Sequence, residues 1–314
     1  MTFFHTDAEL TKLGTEVLEK TWQEFPSLAP NQIALSWIVY DYPVIVNTGG
    51  SIAAEEFWQH PIRGFHYRGV ENIYPASIVK LFYLVAIHEW LEKGMLPESE
   101  ELNRAIRDSI VESSNDATSL IVDSLTGTTS GPELPAEPFK TWQYQRNIVN
   151  RYWQSLGWSE LKTINVNQKT WCDGPYGRER AFVGKMLENR NMLTTNAVAR
   201  LFHSIIGGVA VSSKRSQAML DLLKRTPGIK EIAPGVEENQ VTGFLGEILP
   251  DNSKLWSKAG WTSSVRHDSA YIELPDCPPY LLVVFTTGEA NSNNRQILPF
   301  ISEAIGQQVS SLNH

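Results

Sequence analysis

A serine and a lysine three positions apart have the spacing of a nucleophile and its base. Ser77 and Lys80 stand at positions i and i+3, which lie on one face of a helix within hydrogen-bond reach. The apolar run Leu81 to Ile87 follows at once, so the lysine amine is expected to be buried. Burial lowers the pKa of a lysine, and a neutral amine can take the serine proton. The helix N-terminus would also offer backbone N–H groups to a developing oxyanion.

The same four-residue pattern has a less specific interpretation. A serine near the start of a helix is commonly a cap, and a chain of this length is expected to contain Ser-x-x-Lys about once by chance. Residues Ser159 to Lys162 repeat the pattern in a polar stretch with no buried helix after it. The spacing at Ser77 therefore does not establish catalysis by itself.

Two further patterns make the first one more specific. Ser113 and Asn115 place a hydroxyl and a carboxamide two residues apart, between two helical stretches. Lys258 and Gly260 place an amine beside a glycine on a predicted strand, where a ligand can approach the backbone closely. Ser-x-Asn and Lys-x-Gly both recur elsewhere in the chain. Only the patterns at 77, 113 and 258, however, occur in the order Ser-x-x-Lys, Ser-x-Asn, Lys-x-Gly.

This ordered trio resembles the motifs of the penicillin-recognising serine hydrolases, and within them the class A β-lactamases. Residues 74–81 resemble the nucleophile helix of that family, and residues 113–121 resemble its second motif and the following helix. Residues 193–199 are similar to the start of the helix that follows the omega loop. Similar stretches recur from about residue 33 to the C-terminal helix, with weak similarity between them.

The resemblance implies a role for each residue of the first two motifs. Ser77 would be the acylated nucleophile and Lys80 its activating base. Ser113 would relay a proton to the leaving nitrogen, and Asn115 would hold the amide side chain of the substrate.

The third motif and its surroundings would bind the substrate. The resemblance implies that Lys258 supplies positive charge near the substrate carboxylate, beside Gly260. The backbone N–H groups of Ser77 and Trp261 would form the oxyanion hole. Arg266 would pair with the substrate carboxylate, and the alternative interpretation is an ordinary surface arginine.

The chain also departs from the family pattern. Ala259 stands where the family usually has threonine or serine, and Ser114 stands where it usually has aspartate. The first two motifs are 113 − 77 = 36 residues apart, which is shorter than is usual in class A enzymes.

The resemblance also implies a glutamate that deacylates the acyl-enzyme. An ungapped count back from the threonines at 194–195 places it at Glu179, between two arginines. Val183 stands where the family has an asparagine, and a surface ion pair explains Glu179 equally well. Asp173 and Glu188 are weaker candidates.

The patterning predicts an α+β fold, with an antiparallel sheet flanked by helices and an all-helical lobe. The resemblance implies that this fold is of the β-lactamase/transpeptidase type. Helices are predicted at 7–25, 75–93, 98–125, 139–156, 194–207, 214–224 and 295–306, and strands at 33–41, 255–258, 269–274 and 280–287. The first strand is expected to join the last three. Residues 1–314 would form one catalytic domain, with an α/β lobe at 1–73 and 210–314, a helical lobe at 74–209, and the active site in the cleft between them.

Composition restricts the possible partners. With 27 basic and 35 acidic residues the net charge is −8, which argues against nucleic acid and anionic membranes. Two cysteines and the spacing of seven histidines predict neither a disulfide scaffold nor a metal site, and no cofactor is expected. The longest apolar run is far shorter than the roughly 20 residues of a membrane span. A monomer acting on a small lactam, amide or ester is expected.

The N-terminus has no basic stretch followed by an apolar one, so a cytoplasmic location is predicted for the chain as written. The family that it resembles usually works in the periplasm or outside the cell. This contrast favours either a missing leader or an intracellular substrate.

The leading hypothesis is a serine hydrolase that opens a lactam or a related amide through an acyl-enzyme on Ser77. One alternative is a penicillin-binding or D,D-peptidase-like protein, or another amide or ester hydrolase, with slow deacylation. Another is a relative that keeps the fold without catalysis, which the exchanges at Ala259 and Ser114 motivate.

Overall fold

The computed structural model describes residues 2–41, 52–229 and 239–312. The chain divides into two compact units, residues 1–71 with 194–314, and residues 72–193. The elements before residue 72 are β1 (His5–Thr6), α1 (Ala8–Glu24), β2 (Ile33–Val39), α2 (Ala54–Gln59) and β3 (Arg63–Tyr67). Those of the second unit are α3 (Lys80–Glu92), α4 (Glu100–Val111), α5 (Asn115–Thr126), α6 (Ala136–Arg146), α7 (Ile148–Ser155) and α8 (Gly177–Val183). The remaining ones are α9 (Thr195–Ile206), α10 (Ser213–Leu223), β4 (Lys224–Arg225), β5 (Lys254–Thr262), β6 (Val265–Glu273), β7 (Tyr280–Thr287), α11 (Glu289–Asn293) and α12 (Ile297–Ser311).

The first unit contains a seven-stranded sheet in the order β1-β3-β2-β7-β6-β5-β4. Strand β2 is buried along its whole length and pairs antiparallel with β7, as its apolar and β-branched sequence predicts. The last two long strands form a hairpin, because β6 and β7 are consecutive and pair antiparallel. The sheet is mixed rather than wholly antiparallel, since the two-residue strand β1 pairs parallel with β3.

Helices pack on the sheet with their apolar faces. Asp7 caps α1 by accepting a hydrogen bond from the Leu10 backbone N–H at 2.9 Å. Leu10 and Val17 of α1 then belong to the same apolar core as Leu298 and Ile305 of α12.

Helix α9 also belongs to the sheet unit, although the predicted helical lobe extended to residue 209. It packs against β2, β6 and β7, and the Ser36 hydroxyl of β2 lies 2.7 Å from both the Thr195 hydroxyl and the Asn196 amide oxygen. These buried polar contacts join the start of α9 to the sheet.

The second unit is helical, and α3 is its most buried helix. Eleven of its thirteen residues are buried, because it is apolar on all sides. The regular helix begins at Lys80 rather than at the predicted Pro75, and Ala76–Val79 form a 3-10 turn instead. Ala76 has a φ of 46°, in the left-handed region, so the chain turns sharply just before Ser77.

The segment between residues 162 and 191 contains one short α-helix, α8. Elsewhere side-chain amides hold this segment in place. The Asn191 amide oxygen accepts the backbone N–H groups of Asn167 and Gln168 at 3.0 and 2.9 Å, and Asn191 Nδ2 donates to the Gln168 carbonyl at 2.8 Å. Tyr83 of α3 donates to the same carbonyl at 2.6 Å. Polar side chains therefore hold a segment that has few backbone ladder contacts.

Candidate active site

The 3-10 turn presents Ser77 beside the first residue of α3. The Lys80 ammonium nitrogen lies 3.0 Å from the Ser77 hydroxyl oxygen. The i, i+3 contact that the sequence predicts is therefore present, although a 3-10 turn and not an α-helix supplies it. Ser77 is half-buried, whereas Lys80 is 1% exposed.

The other partners of Lys80 come from the turn between α4 and α5. Its Nζ atom lies 3.2 Å from the Ser113 hydroxyl and 2.9 Å from the Asn115 Oδ1, and it also donates to the Ser113 carbonyl. Ser113 has a φ of 54°, a left-handed conformation that directs both its carbonyl and its hydroxyl toward Lys80. The first two motifs thus meet at one amine.

The amine at the centre of this cluster is poorly solvated. Burial lowers the pKa of Lys80 from 10.5 to about 7, and the nearby Cys172 opposes this shift. A neutral amine is therefore accessible near neutral pH, and it can take a proton from the hydroxyl that it contacts.

Ser114 has a structural role in the same turn. It caps α5, because its hydroxyl accepts the Ala117 backbone N–H at 3.2 Å, and its carbonyl accepts the Thr118 hydroxyl at 2.7 Å. Serine is a good cap residue, so the exchange from aspartate keeps the start of the helix. Asn115 is the first residue of α5, directly after this cap.

Sequence reasoning missed Cys172, which lies next to the cluster. Asn115 Nδ2 donates to the Cys172 sulfur at 3.5 Å, and the thiol is exposed. The contact spans 57 positions of the chain. No local pattern around Cys172 marks it as a neighbour of the second motif.

Glu179 lies in a buried ion cluster. Its Oε1 accepts hydrogen bonds from Arg146 at 2.7 Å and from Ser130 at 2.8 Å, and the Lys169 ammonium is 3.9 Å away. Glu179 and Arg146 are both fully buried, so the predicted alternative of a surface ion pair is wrong about its exposure. Neither side chain of the Ser77–Lys80 pair is among the hydrogen-bond partners of Glu179 in the described ranges.

The other two acidic candidates are exposed. Asp173 follows Cys172 at the surface, and the Glu188 carboxylate accepts the Met186 backbone N–H at 2.9 Å. Neither has a hydrogen bond to the Lys80 amine in the part of the chain that the structure describes.

In the sheet unit, Lys258 points along a buried stretch of β5. The residue is 0% exposed, and its ammonium donates to the Gln240 Oε1 at 2.6 Å and to the Ala259 carbonyl at 2.7 Å. Gly260 follows on the same strand, where it pairs with His267 of β6.

Arg266 and Trp261 face each other across β5 and β6. Both side chains donate to the Ser292 carbonyl, Arg266 Nε at 2.8 Å and Trp261 Nε1 at 3.1 Å. The guanidinium carbon lies 4.8 Å from the Phe244 ring centre and 5.6 Å from that of Trp261. Arg266 is 1% exposed, so the interpretation as a surface arginine is wrong.

Within the described residues, no three histidine, cysteine, aspartate or glutamate side chains are grouped as metal ligands would be. The side chains that meet at Lys80 are two hydroxyls and a carboxamide. A hydroxyl, a buried amine, a second hydroxyl and a carboxamide suit a nucleophile, a base, a proton relay and a hydrogen-bonding group.

Comparison with known proteins gives a family match. A family model described as the beta-lactamase enzyme family matches residues 100–309. No curated protein sequence matches the chain.

Several solved structures share the fold at low sequence identity. A β-lactamase from Sphaerobacter thermophilus is 18% identical with a TM-score of 0.62, over 95% of this chain and 98% of that one. A β-lactamase from Xanthomonas campestris is 15% identical with a TM-score of 0.60, over 93% and 97% of the two chains. A mutant of PBP-A, described as an acyl-enzyme complex with penicillin G, is 16% identical with a TM-score of 0.61, over 96% and 98%. These likenesses establish the β-lactamase/transpeptidase-like fold that the sequence predicts.

Proposed function

The chain belongs to the beta-lactamase enzyme family, and from this we propose that it is a serine hydrolase that opens a β-lactam or a related amide through an acyl-enzyme on Ser77. The observation that carries the proposal is the buried Lys80 amine, which contacts the Ser77 hydroxyl, the Ser113 hydroxyl and the Asn115 amide. Family membership supports a hydrolase, and these contacts support the serine as its nucleophile.

Acylation begins with proton transfer in this proposal. Neutral Lys80 takes the Ser77 proton as the serine oxygen attacks the amide carbonyl, and an oxyanion intermediate forms. The C–N bond then breaks. The leaving nitrogen receives a proton from Ser113, which is replenished from the Lys80 ammonium, so the amine returns to its neutral form.

Substrate binding is proposed for residues of the second and third motifs. Asn115 would hydrogen-bond the amide side chain of the substrate. Lys258 and Arg266 would supply positive charge for its carboxylate, and Gly260 and Trp261 would contribute backbone close to it. Ala259 has no hydroxyl to offer this carboxylate, so a weaker carboxylate contact is expected than with threonine or serine.

Hydrolysis of a chromogenic cephalosporin tests the proposal. The parent protein should release the chromophore, at least in one stoichiometric burst, and Ser77→Ala should abolish the release. Ser159→Ala is the matched control, because Ser159 and Lys162 repeat the Ser-x-x-Lys spacing. Release that survives Ser77→Ala, or that depends on Ser159, contradicts the proposal, and no release in the parent supports a non-catalytic relative.

A second candidate function is penicillin binding with slow deacylation. It is favoured by the contacts of Glu179, which are made to Arg146 and Ser130 and not to Ser77 or Lys80. A single burst of chromophore without further turnover would identify this function.

A further inference from the structure

The Asn115 carboxamide is held at both ends. Its oxygen accepts a hydrogen bond from Lys80 at 2.9 Å, and its nitrogen donates to the Cys172 sulfur at 3.5 Å. An asparagine amide has distinct donor and acceptor ends, so these two contacts fix which end faces the amine. Exchange of the ends would bring the amide N–H groups against the Lys80 donor.

The chain just before Cys172 is held by contacts of the Lys169 side chain and of the backbone that precedes it. The Lys169 ammonium donates to Asp123 Oδ2 at 2.7 Å and to the Ser130 hydroxyl at 2.8 Å. The same ammonium lies 5.8 Å from the centre of the Trp171 ring. The preceding backbone is held by Asn191, as described above. The thiol therefore follows a stretch of chain that is held up to residue 169.

Among the described residues, no carboxylate accepts a hydrogen bond from the Lys80 amine, and a thiol lies nearby. Its hydrogen-bond partners in the described ranges are the side chains of Ser77, Ser113 and Asn115 and the Ser113 carbonyl. Cys172 is also near enough to oppose the lowering of the Lys80 pKa. A carboxylate is a good general base for water, whereas a thiol sulfur is a weak hydrogen-bond acceptor.

We propose that Cys172 is a further positioning residue of the Ser77 site, that it orients Asn115, and that it occupies the place beside Asn115 from which a carboxylate would speed hydrolysis of the acyl-enzyme. This inference rests on the proposed function, because it concerns the fate of the ester on Ser77. Deacylation adds water to the ester carbonyl and breaks its bond to the Ser77 oxygen. The attacking water gives its proton to a base, and the serine oxygen regains a proton.

The first experiment tests the missing base. The acyl-enzyme is formed with benzylpenicillin, excess ligand is removed, and loss of the adduct is followed by intact mass. We expect Cys172→Glu and Cys172→Asp to deacylate at least about tenfold faster than the parent, since a positioned general base is worth roughly 100-fold or more. Two acidic variants are used in case one does not fold, and thermal unfolding checks both.

The second experiment tests the orientation of Asn115. Cys172→Ala should raise the KM for acylation by about threefold or more, and Cys172→Ser, which keeps an acceptor, should restore most of it. Cys277→Ala is the matched control for loss of a free cysteine, and it should leave both rates unchanged. Parent-like acylation by Cys172→Ala, or acidic variants that deacylate no faster, overturns the inference.

A third measurement separates this inference from the proposed function. Iodoacetamide alkylation of each cysteine is followed by peptide mass mapping in the parent and in Asn115→Ala. Loss of the amide donor should speed alkylation of Cys172 by about threefold or more and leave Cys277 unchanged. If Ser77 is never acylated, the proposed function fails, while this result still supports or overturns the Asn115–Cys172 contact.

Discussion

At the scale of single residues, the site is organised by one buried amine. Lys80 is 1% exposed, yet its nitrogen has four acceptors within the described ranges. Burial disfavours the ammonium form strongly enough to lower the pKa of this amine to about 7, although these acceptors would accept its protons. A base that is neutral near pH 7 suits the proposed proton transfer from Ser77.

This protonation predicts how acylation depends on pH. Lys80 carries a proton below a pKa of about 7 and loses it above. The acylation rate constant should therefore rise about tenfold per pH unit below pH 6 and level off above pH 8. Stopped-flow acylation with a fluorescent penicillin between pH 5 and pH 9 measures this profile.

A substitution checks which lysine causes the profile. Lys80→Arg keeps the charge but stays protonated at these pH values, so acylation should fall at least about 100-fold. Lys162→Arg, in the second Ser-x-x-Lys, is the control and should leave the profile unchanged. A pH-independent rate in the parent, or full activity of Lys80→Arg, is inconsistent with a neutral lysine base.

Sequence could predict some of these residues and not others. Ser77 and Lys80 are neighbours through local spacing, so their contact followed from the chain alone. The convergence of Ser113 and Asn115 on Lys80 required a motif order that a known family shares. Cys172 reaches Asn115 across 57 positions, through a segment with no periodic pattern, and nothing in its neighbours signals that contact.

At the scale of elements, buried charges determine how α6 and α8 are joined. Glu179 of α8 shares its Oε1 between Arg146 at the end of α6 and Ser130 before it. Arg146 is also paired with Asp123 of α5 at 3.2 Å, and Lys169 joins the same cluster. Two cations and two carboxylates thus balance within the helical unit.

Removal of one charge from this cluster should cost stability. Glu179→Gln leaves the buried Arg146 with a weaker partner, and the free energy of unfolding should fall by about 3 kcal/mol. Urea denaturation measures this loss. Glu188→Gln is the control on the same segment, because Glu188 is exposed, and its effect should stay within about 0.5 kcal/mol.

The same variant tests the prediction that Glu179 is the deacylating base. If Glu179 were the catalytic base, Glu179→Gln would slow deacylation about 100-fold and change the free energy of unfolding little. That outcome would contradict the structural role inferred from its contacts. An ungapped count along the sequence placed the base at Glu179. Such a count contains no information on the side-chain amide contacts that determine the path of residues 165–191.

Element boundaries followed from sequence where apolar periodicity is strong. Strand β7 matches its predicted range of 280–287, and α1 differs from its prediction by one residue at each end. The start of α3 was misplaced because Pro75 and Ala76 open a 3-10 turn with a left-handed residue, which periodicity does not distinguish from a helix.

At the scale of the whole molecule, the chain combines a sheet unit and a helical unit that each carry part of the predicted motif set. The first two motifs lie in residues 72–193, and Lys258, Gly260, Trp261 and Arg266 lie on the sheet. No helix in the described ranges is long and apolar enough to cross a bilayer.

The central claim is that Ser77 forms a covalent acyl-enzyme, and intact mass spectrometry after incubation with benzylpenicillin tests it most directly. The parent protein should gain the mass of one penicillin, and peptide mapping should place it on the peptide that contains Ser77. Ser159→Ala should form the same adduct, and Ser77→Ala should form none. An unmodified parent, or an adduct that persists in Ser77→Ala, would contradict the account.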